Sequence, residues 1–191
     1  MGKTVLNIAN QAKKNRIEMG GIVQSYKRSD VGIDVITDTR NYEIRFYSES
    51  IVRIHQVGEV RDENQYSVIQ DPASVKTDFE EHDDSFIVST RALDVVISKS
   101  PISFTFLNKD GLIINQDEPG LGIQTQGEQV TVYKKLQEGE RFVGLGEKTG
   151  PLDRRGHGYE NWNTAHFAYD EEADPIFDSI PFYIGINSGS S

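Results

Sequence analysis

Along this chain apolar residues alternate with polar ones over short stretches, and no stretch sustains the 3.6-residue apolar period of an amphipathic helix. In Arg40-Asn-Tyr-Glu-Ile-Arg-Phe-Tyr-Ser48, the apolar Tyr42, Ile44 and Phe46 fall at every second position, the pattern of a half-buried strand. Ile51 to Val57 resumes it after a polar break. Phe86-Ile-Val-Ser-Thr90, Leu93-Asp-Val-Val-Ile-Ser98 and Ile102-Ser-Phe-Thr-Phe-Leu107 are rich in β-branched and aromatic residues, which suit a pleated surface. Pro101 and the Asn108-Lys-Asp-Gly111 turn punctuate them, so this stretch predicts a β meander. Further strands are expected over Gln129–Leu136 and Pro181–Ile186.

Strands recurring from about Gly21 onward, separated by turn residues, predict an all-β fold, a sandwich or a barrel. Residues 1–20 read as a lead-in and 21–191 as one β-domain. Between Glu59 and Asp84 lies an acidic segment with Asp71, Asp78, Glu80, Glu81, Asp83 and Asp84, read as part strand and part solvated loop whose charge serves solubility.

Composition narrows the function. The 191 residues suffice for one domain with a sizeable core. A formal charge of −10 repels phosphate backbones and anionic membrane surfaces, so no nucleic-acid or membrane partner is expected. With no cysteine, disulfides, thiolate nucleophiles and cysteine-ligated zinc drop out. The first residues lack the apolar run of a secretory signal, and no later window resembles a membrane span; a cytoplasmic location is the expectation.

The residues richest in possible chemistry are Phe142-Val-Gly-Leu-Gly-Glu-Lys-Thr-Gly-Pro-Leu-Asp-Arg-Arg-Gly-His-Gly-Tyr-Glu-Asn-Trp-Asn163, which hold the only tryptophan. Gly144-Leu-Gly146 opens like a dinucleotide fingerprint, but Thr149 stands where the third glycine belongs and no helical pattern follows. Gly150 is followed by Pro151 rather than the lysine of a phosphate loop. A calcium loop over Asn108–Gly111 would place Phe106 at its first ligand position. His55, His82, His157 and His166 show no ligand spacing, so neither a metal nor another cofactor is expected. No Gly-x-Ser-x-Gly elbow occurs, and the many carboxylates do not by themselves identify a glycosidase pair.

What remains suits sugars. Tyr159, Trp162, His166, Phe167 and Tyr169 could stack on pyranose faces, and Arg154, Arg155, Asn161 and Asn163 offer directional hydrogen bonds to hydroxyls. The competing reading makes Trp162 and Phe167 core plugs of a long loop and pairs the two arginines with Asp153 or Glu160.

Three ordered motifs then carry a resemblance: Arg141–Gly156, Tyr159-Glu-Asn-Trp-Asn163 and Asp174-Pro-Ile-Phe-Asp-Ser-Ile-Pro-Phe182. Together they resemble the N-terminal domain of glycoside hydrolase family 31, the α-glucosidases. Weaker agreement runs upstream through Tyr42–Phe46, Leu93–Phe106 and Asp110-Gly111, so the resemblance covers most of the chain. It implies an antiparallel, galactose mutarotase-like β-sandwich that precedes a (β/α)8 barrel. It also implies a retaining hydrolase of α-glucosides whose aspartate nucleophile and aspartate acid/base lie on that barrel.

Neither catalytic motif occurs in this chain, and a barrel alone needs about 250 residues. The expectation is therefore a domain excised from a longer chain, inactive alone, whose partners are its own barrel, an α-glucoside or oligosaccharide and, as a further option, a second copy of itself. On this reading the glycines of Gly144-Leu-Gly146 let the backbone turn sharply as a strand leaves the sandwich, and the loop at about 146–180 walls the sugar pocket. Trp162 and Asn163 match the family pattern and become candidates for lining that pocket, with Arg154 and Arg155 beside them. Many relatives carry a sugar-binding aspartate just after the Trp-Asn pair; here Thr164, Ala165 and His166 follow, and His166 is the candidate substitute. A self-sufficient carbohydrate-binding sandwich and a mutarotase-like enzyme are the alternatives.

Overall fold

The computed structural model describes residues 17–57, 68–127 and 129–187; most of the lead-in and part of the acidic segment lie outside the described residues. Every strand pairing is antiparallel, and no helix occurs among the described residues. The chain divides into two compact units, with the boundary between Lys135 and Leu136.

The first unit begins with the short strand β1 (Ile17–Glu18), followed by β2 (Val23–Ser29), β3 (Gly32–Thr37), β4 (Asn41–Phe46) and β5 (Val52–Val57). Next come β6 (Asp78–Glu81), β7 (Ser85–Ser89), β8 (Leu93–Lys99), β9 (Ile102–Asn108) and β10 (Ile113–Gln116), then β11 (Ile123–Gln126) and β12 (Gln129–Val132). One sheet runs in the order β2, β3, β4, β5 and a second in the order β10, β9, β8, β7, β6, while β11 sits between β1 and β12 in a third.

The core follows from the alternation. Register places Ile33 opposite Ile44 and Val35 opposite Tyr42 in the first sheet, and Phe86, Ile97 and Phe104 in one cross-strand row of the second. These side chains form a single buried cluster joining the two sheets, with the Tyr42 and Phe104 rings 6.0 Å apart edge to face. Each such side chain contributes about 1.5–3 kcal/mol on leaving water. Tyr42 keeps a polar partner, donating its hydroxyl to Gly20 O at 3.3 Å, and burial pushes its phenol up to about 12.

Side-chain oxygens close the hairpins. Thr37 Oγ1 accepts from Arg40 N at 2.9 Å between β3 and β4, and Thr90 Oγ1 accepts from Leu93 N at 3.0 Å between β7 and β8. Between β9 and β10, Asn108 Oδ1 accepts from Asp110 N and Leu112 N, the turn that the sequence predicts.

Two expectations change. The strand expected over Gln129–Leu136 stops at Val132, because Tyr133 N turns to Gly122 O and Lys134 bridges to Asp117. The buried Asp117 carboxylate holds this corner, accepting from Phe104 N at 2.9 Å and from the Lys134 ammonium. In the acidic segment, Asp78–Glu81 forms the edge strand β6, and its Glu81 is clasped by Tyr26 and Lys99.

The second unit is a two-stranded sheet of β13 (Arg141–Gly146) and β14 (Ser179–Ile186), joined by residues 147–178 without strand or helix. The glycine pair of the sequence motif lies within β13, at a register irregularity, rather than at a turn leaving the strand. Gly144 and Gly146 both have positive φ, and a Cβ on Gly146 would stand 2.4 Å from Asp178 O. Glycine here lets β13 press against the start of β14.

Candidate functional site

The loop 147–178 is organised around a buried lysine. The Lys148 side chain is 0% exposed, and its ammonium donates to Glu160 O, to Asp174 Oδ1 at 2.9 Å and to Ser179 Oγ at 3.2 Å. An ammonium has three N–H groups, and all three have acceptors here. Burying an ion is costly unless it is paired and fully hydrogen-bonded, a condition this arrangement meets. For Asp174, desolvation is the largest influence and pushes its pKa up. The Glu160 N–H, Lys148 and Arg154 together outweigh it and hold the carboxyl below its ordinary value.

Ser179, the first residue of β14, passes this order on to the aromatic segment. Its Oγ accepts from Trp162 N at 3.1 Å and donates to Trp162 O at 3.3 Å, while its N–H donates to Asn163 Oδ1 at 2.7 Å. Thr164 N completes the seam on Ile176 O. Trp162 and Asn163 are thus brought together on a backbone tied to a strand. The indole itself is 66% exposed, and Phe167 is 85% exposed. Neither ring plugs a core within the described residues.

The two arginines turn inward to the loop. Arg154 Nη1 donates to Thr149 O at 2.9 Å and Pro151 O at 2.8 Å, and its guanidinium lies over the Tyr159 ring. Arg155 Nη1 donates to Gln137 O at 2.9 Å and Glu140 O at 2.6 Å. Asp153 accepts from Phe142 N and Arg155 N, and those two backbone bonds are the main reason its carboxyl is held below the usual range. Among the described residues neither guanidinium forms an ion pair with Asp153 or Glu160, the pairing weighed from the sequence. A guanidinium carries five N–H donors in a fixed fork and so reaches several carbonyls at once, which lets it staple an irregular loop.

His166 is exposed on the same loop, without a hydrogen bond to any described residue. A separate open cleft of about 760 Å³ is walled by His157, Tyr159, Glu171, Glu172 and Asp174, among others; Trp162, Asn163, His166, Arg154 and Arg155 are not in its walls. Among the described residues no three His, Asp or Glu side chains converge to hold a metal. Chemically, the loop offers an exposed aromatic ring on an anchored backbone with the Asn163 amide next to it in sequence, groups of the kinds that suit the apolar face and hydroxyl rim of a sugar ring.

The sequence did not single out Lys148, Asp174 and Ser179 as a group. They stand 26 and 31 residues apart from Lys148, too far for any local spacing rule, although all three fall inside the motifs that carry the resemblance.

The family model of the glycosyl hydrolase 31 N-terminal galactose mutarotase-like domain matches residues 41–191. The chain belongs to this family. Among curated relatives of this glycosyl hydrolase 31 domain, alpha-glucosidase 2 of Bacillus thermoamyloliquefaciens is 30% identical over 181 residues, 93% of this chain and 23% of the relative. An alpha-glucosidase of Saccharolobus solfataricus is 38% identical over 89 residues, 47% of this chain and 13% of the relative. The glycosyl hydrolase 31 dextranase of Flavobacterium johnsoniae, solved with isomaltotriose, superposes with a TM-score of 0.82 at 24% identity, over 88% of this chain and 21% of that one. A glycosyl hydrolase 31 α-xylosidase from a soil metagenome superposes at 0.62 with 14% identity, over 85% of this chain and 26% of that one. These two likenesses bear on the fold alone, which the family model describes as galactose mutarotase-like. The domain spans under a quarter of the length of the curated relatives it matches.

Proposed function

We propose that this chain is the non-catalytic N-terminal domain of an α-glucosidase, packing on a catalytic barrel and presenting its loop at about 146–180 to the sugar pocket. Retaining hydrolysis of α-glucosidic bonds would then be performed by aspartates outside these residues, at a cytoplasmic location. The observation that carries the reading is Trp162: its backbone is pinned to β14 while its indole is held out to solvent. An aromatic ring exposed on a tied-down backbone offers a preorganised face for a ligand.

In this role Trp162 stacks on the sugar, Asn163 turns its amide nitrogen to a hydroxyl while its oxygen anchors Ser179, and His166 supplies the neighbouring polar contact. Arg154 and Arg155 act one step back, holding the loop in shape through its carbonyls.

The test compares hydrolysis of a chromogenic α-glucoside by this chain and by the whole protein, with Trp162→Ala introduced into the latter. The expected result is a silent chain, an active whole protein, and a variant whose kcat/KM falls about 10–100-fold, equivalent to ~1.4–2.7 kcal/mol, with little change in melting temperature. Hydrolysis by this chain alone would overturn the non-catalytic role. Equal loss of activity and stability in the variant would return Trp162 to a packing role.

A further inference from the structure

We propose that Lys148 is a positioning residue: its buried ammonium clamps residues 160–163 against the start of β14 and so sets the direction of the Trp162 indole. The significance of that direction rests on the role given to Trp162 above; the clamp itself rests on geometry. Lys148 joins three separate pieces of chain, the backbone at Glu160, the side chain of Asp174 and the side chain of Ser179. Asp174 returns to the same segment by accepting from Glu160 N, and Ser179 grips Trp162 through both its N–H and its carbonyl. The buried charge thus reaches this segment directly at the Glu160 carbonyl, or through one intervening side chain, Asp174 or Ser179, that bonds the segment's backbone, which leaves that backbone little freedom to rotate.

Charge makes the clamp selective. Replacing Lys148 by an apolar residue would remove the donor that the Asp174 carboxylate and the Glu160 carbonyl share, at the point where the Lys148 side chain is fully buried. The segment would then open to hydrate those groups, and Trp162 would lose its seat. Thr149, the next residue, offers a control: its hydroxyl donates to Ala173 O at 2.8 Å, a single loop bond that does not reach residues 160–163.

Because Trp162 is the only tryptophan, its emission reports this segment without interference. Time-resolved fluorescence anisotropy on this chain would compare the native protein with Lys148→Met, Ser179→Ala and Thr149→Ala, with circular dichroism following the strands. The clamp predicts that the amplitude of the fast, nanosecond depolarisation rises about twofold in Lys148→Met and Ser179→Ala and stays unchanged in Thr149→Ala. An unchanged decay in the first two variants overturns it, and so does an equal rise in all three, which would mean general loosening. If Lys148→Met melts the second unit, Ser179→Ala decides alone, since it removes a single hydroxyl. The whole-protein Trp162→Ala assay separates the clamp from the pocket: mobility that rises as predicted, with kcat/KM unchanged in that variant, keeps the clamp and removes the sugar role of Trp162.

Discussion

At the scale of single residues, chemistry was legible where it sits on neighbours in sequence and hidden where it is assembled across the loop. Trp162 and Asn163 stand side by side in the sequence and match the pattern of the family the chain resembles. The ion pair that seats them, Lys148 with Asp174, is formed by residues 26 apart with no regular element between them, so no periodicity announces it. That pair gives the site a pH dependence whose sign is fixed. Asp174 is held below the ordinary carboxyl value of 3.8, so its contribution to the folded loop is fully present above about pH 4. It is lost as pH falls through the lowered folded value, because protonation removes the charge that Lys148 and the Glu160 N–H bind. The expected outcome on acid titration is a rise in Trp162 mobility below pH 3.8, ahead of any loss of strand circular dichroism. Asp174→Asn, already neutral, should show high mobility at all pH values and no such transition. A coincident change of both signals in the native chain would instead assign the loop to global unfolding.

At the scale of elements, strands were readable when both of two conditions held: an alternation of at least three apolar positions, and a buried face to enforce it. β4, β8 and β9 meet both, and the residues picked out by alternation in β4 are the buried ones, Tyr42, Ile44 and Phe46. β10 and β11 were not singled out, since each is four residues long and neither shows a strict alternation of buried positions; pairing with neighbours makes them strands. The glycines of Gly144-Leu-Gly146 suggest a sharp turn but form a distorted strand, because glycine signals an unusual φ without saying which element needs it. Gly146 gives the measurable consequence. An alanine there must hold φ near +78° with its Cβ 2.4 Å from Asp178 O and 2.8 Å from Ile180 N, both backbone atoms that cannot swing aside. The left-handed conformation alone costs about 1–2 kcal/mol, so Gly146→Ala should destabilise the second unit by more than that. Gly156→Ala is the matched control, with φ +80° and nothing within 4 Å of the added Cβ. Thermal unfolding followed by Trp162 emission should therefore fall further for Gly146→Ala; equal shifts would show that only backbone strain matters and that the close approach to β14 does not.

At the scale of the whole molecule, two features oppose each other. The alternation in β14 puts Ile180, Phe182, Ile184 and Ile186 on one face of a two-stranded sheet, and these side chains are between 49% and 64% exposed. Register adds Val143 of β13 opposite Ile184 on that face. Soluble chains seldom leave so continuous an apolar strip uncovered, so it should seek a cover, which in the proposed enzyme is the rest of the protein. For the chain alone, the cover within reach is a second copy. Against this stands a formal charge of −10, which makes copies repel at long range. Salt decides between them, since the screening length shrinks from ~30 Å at 0.01 M to ~3 Å at 1 M while apolar attraction is not weakened. Static light scattering should therefore show a mass near one chain at low ionic strength and a rising mass as salt is added, with an apolar dye binding the monomer and released on association. Phe182→Glu together with Ile184→Thr should abolish both the salt-driven rise and the dye signal, because the first adds a charge to the centre of the strip and the second removes its neighbour. A chain that stays monomeric at all salt concentrations and binds no dye would mean that the strip is not adhesive, and the argument that this domain is built to be covered would fail with it.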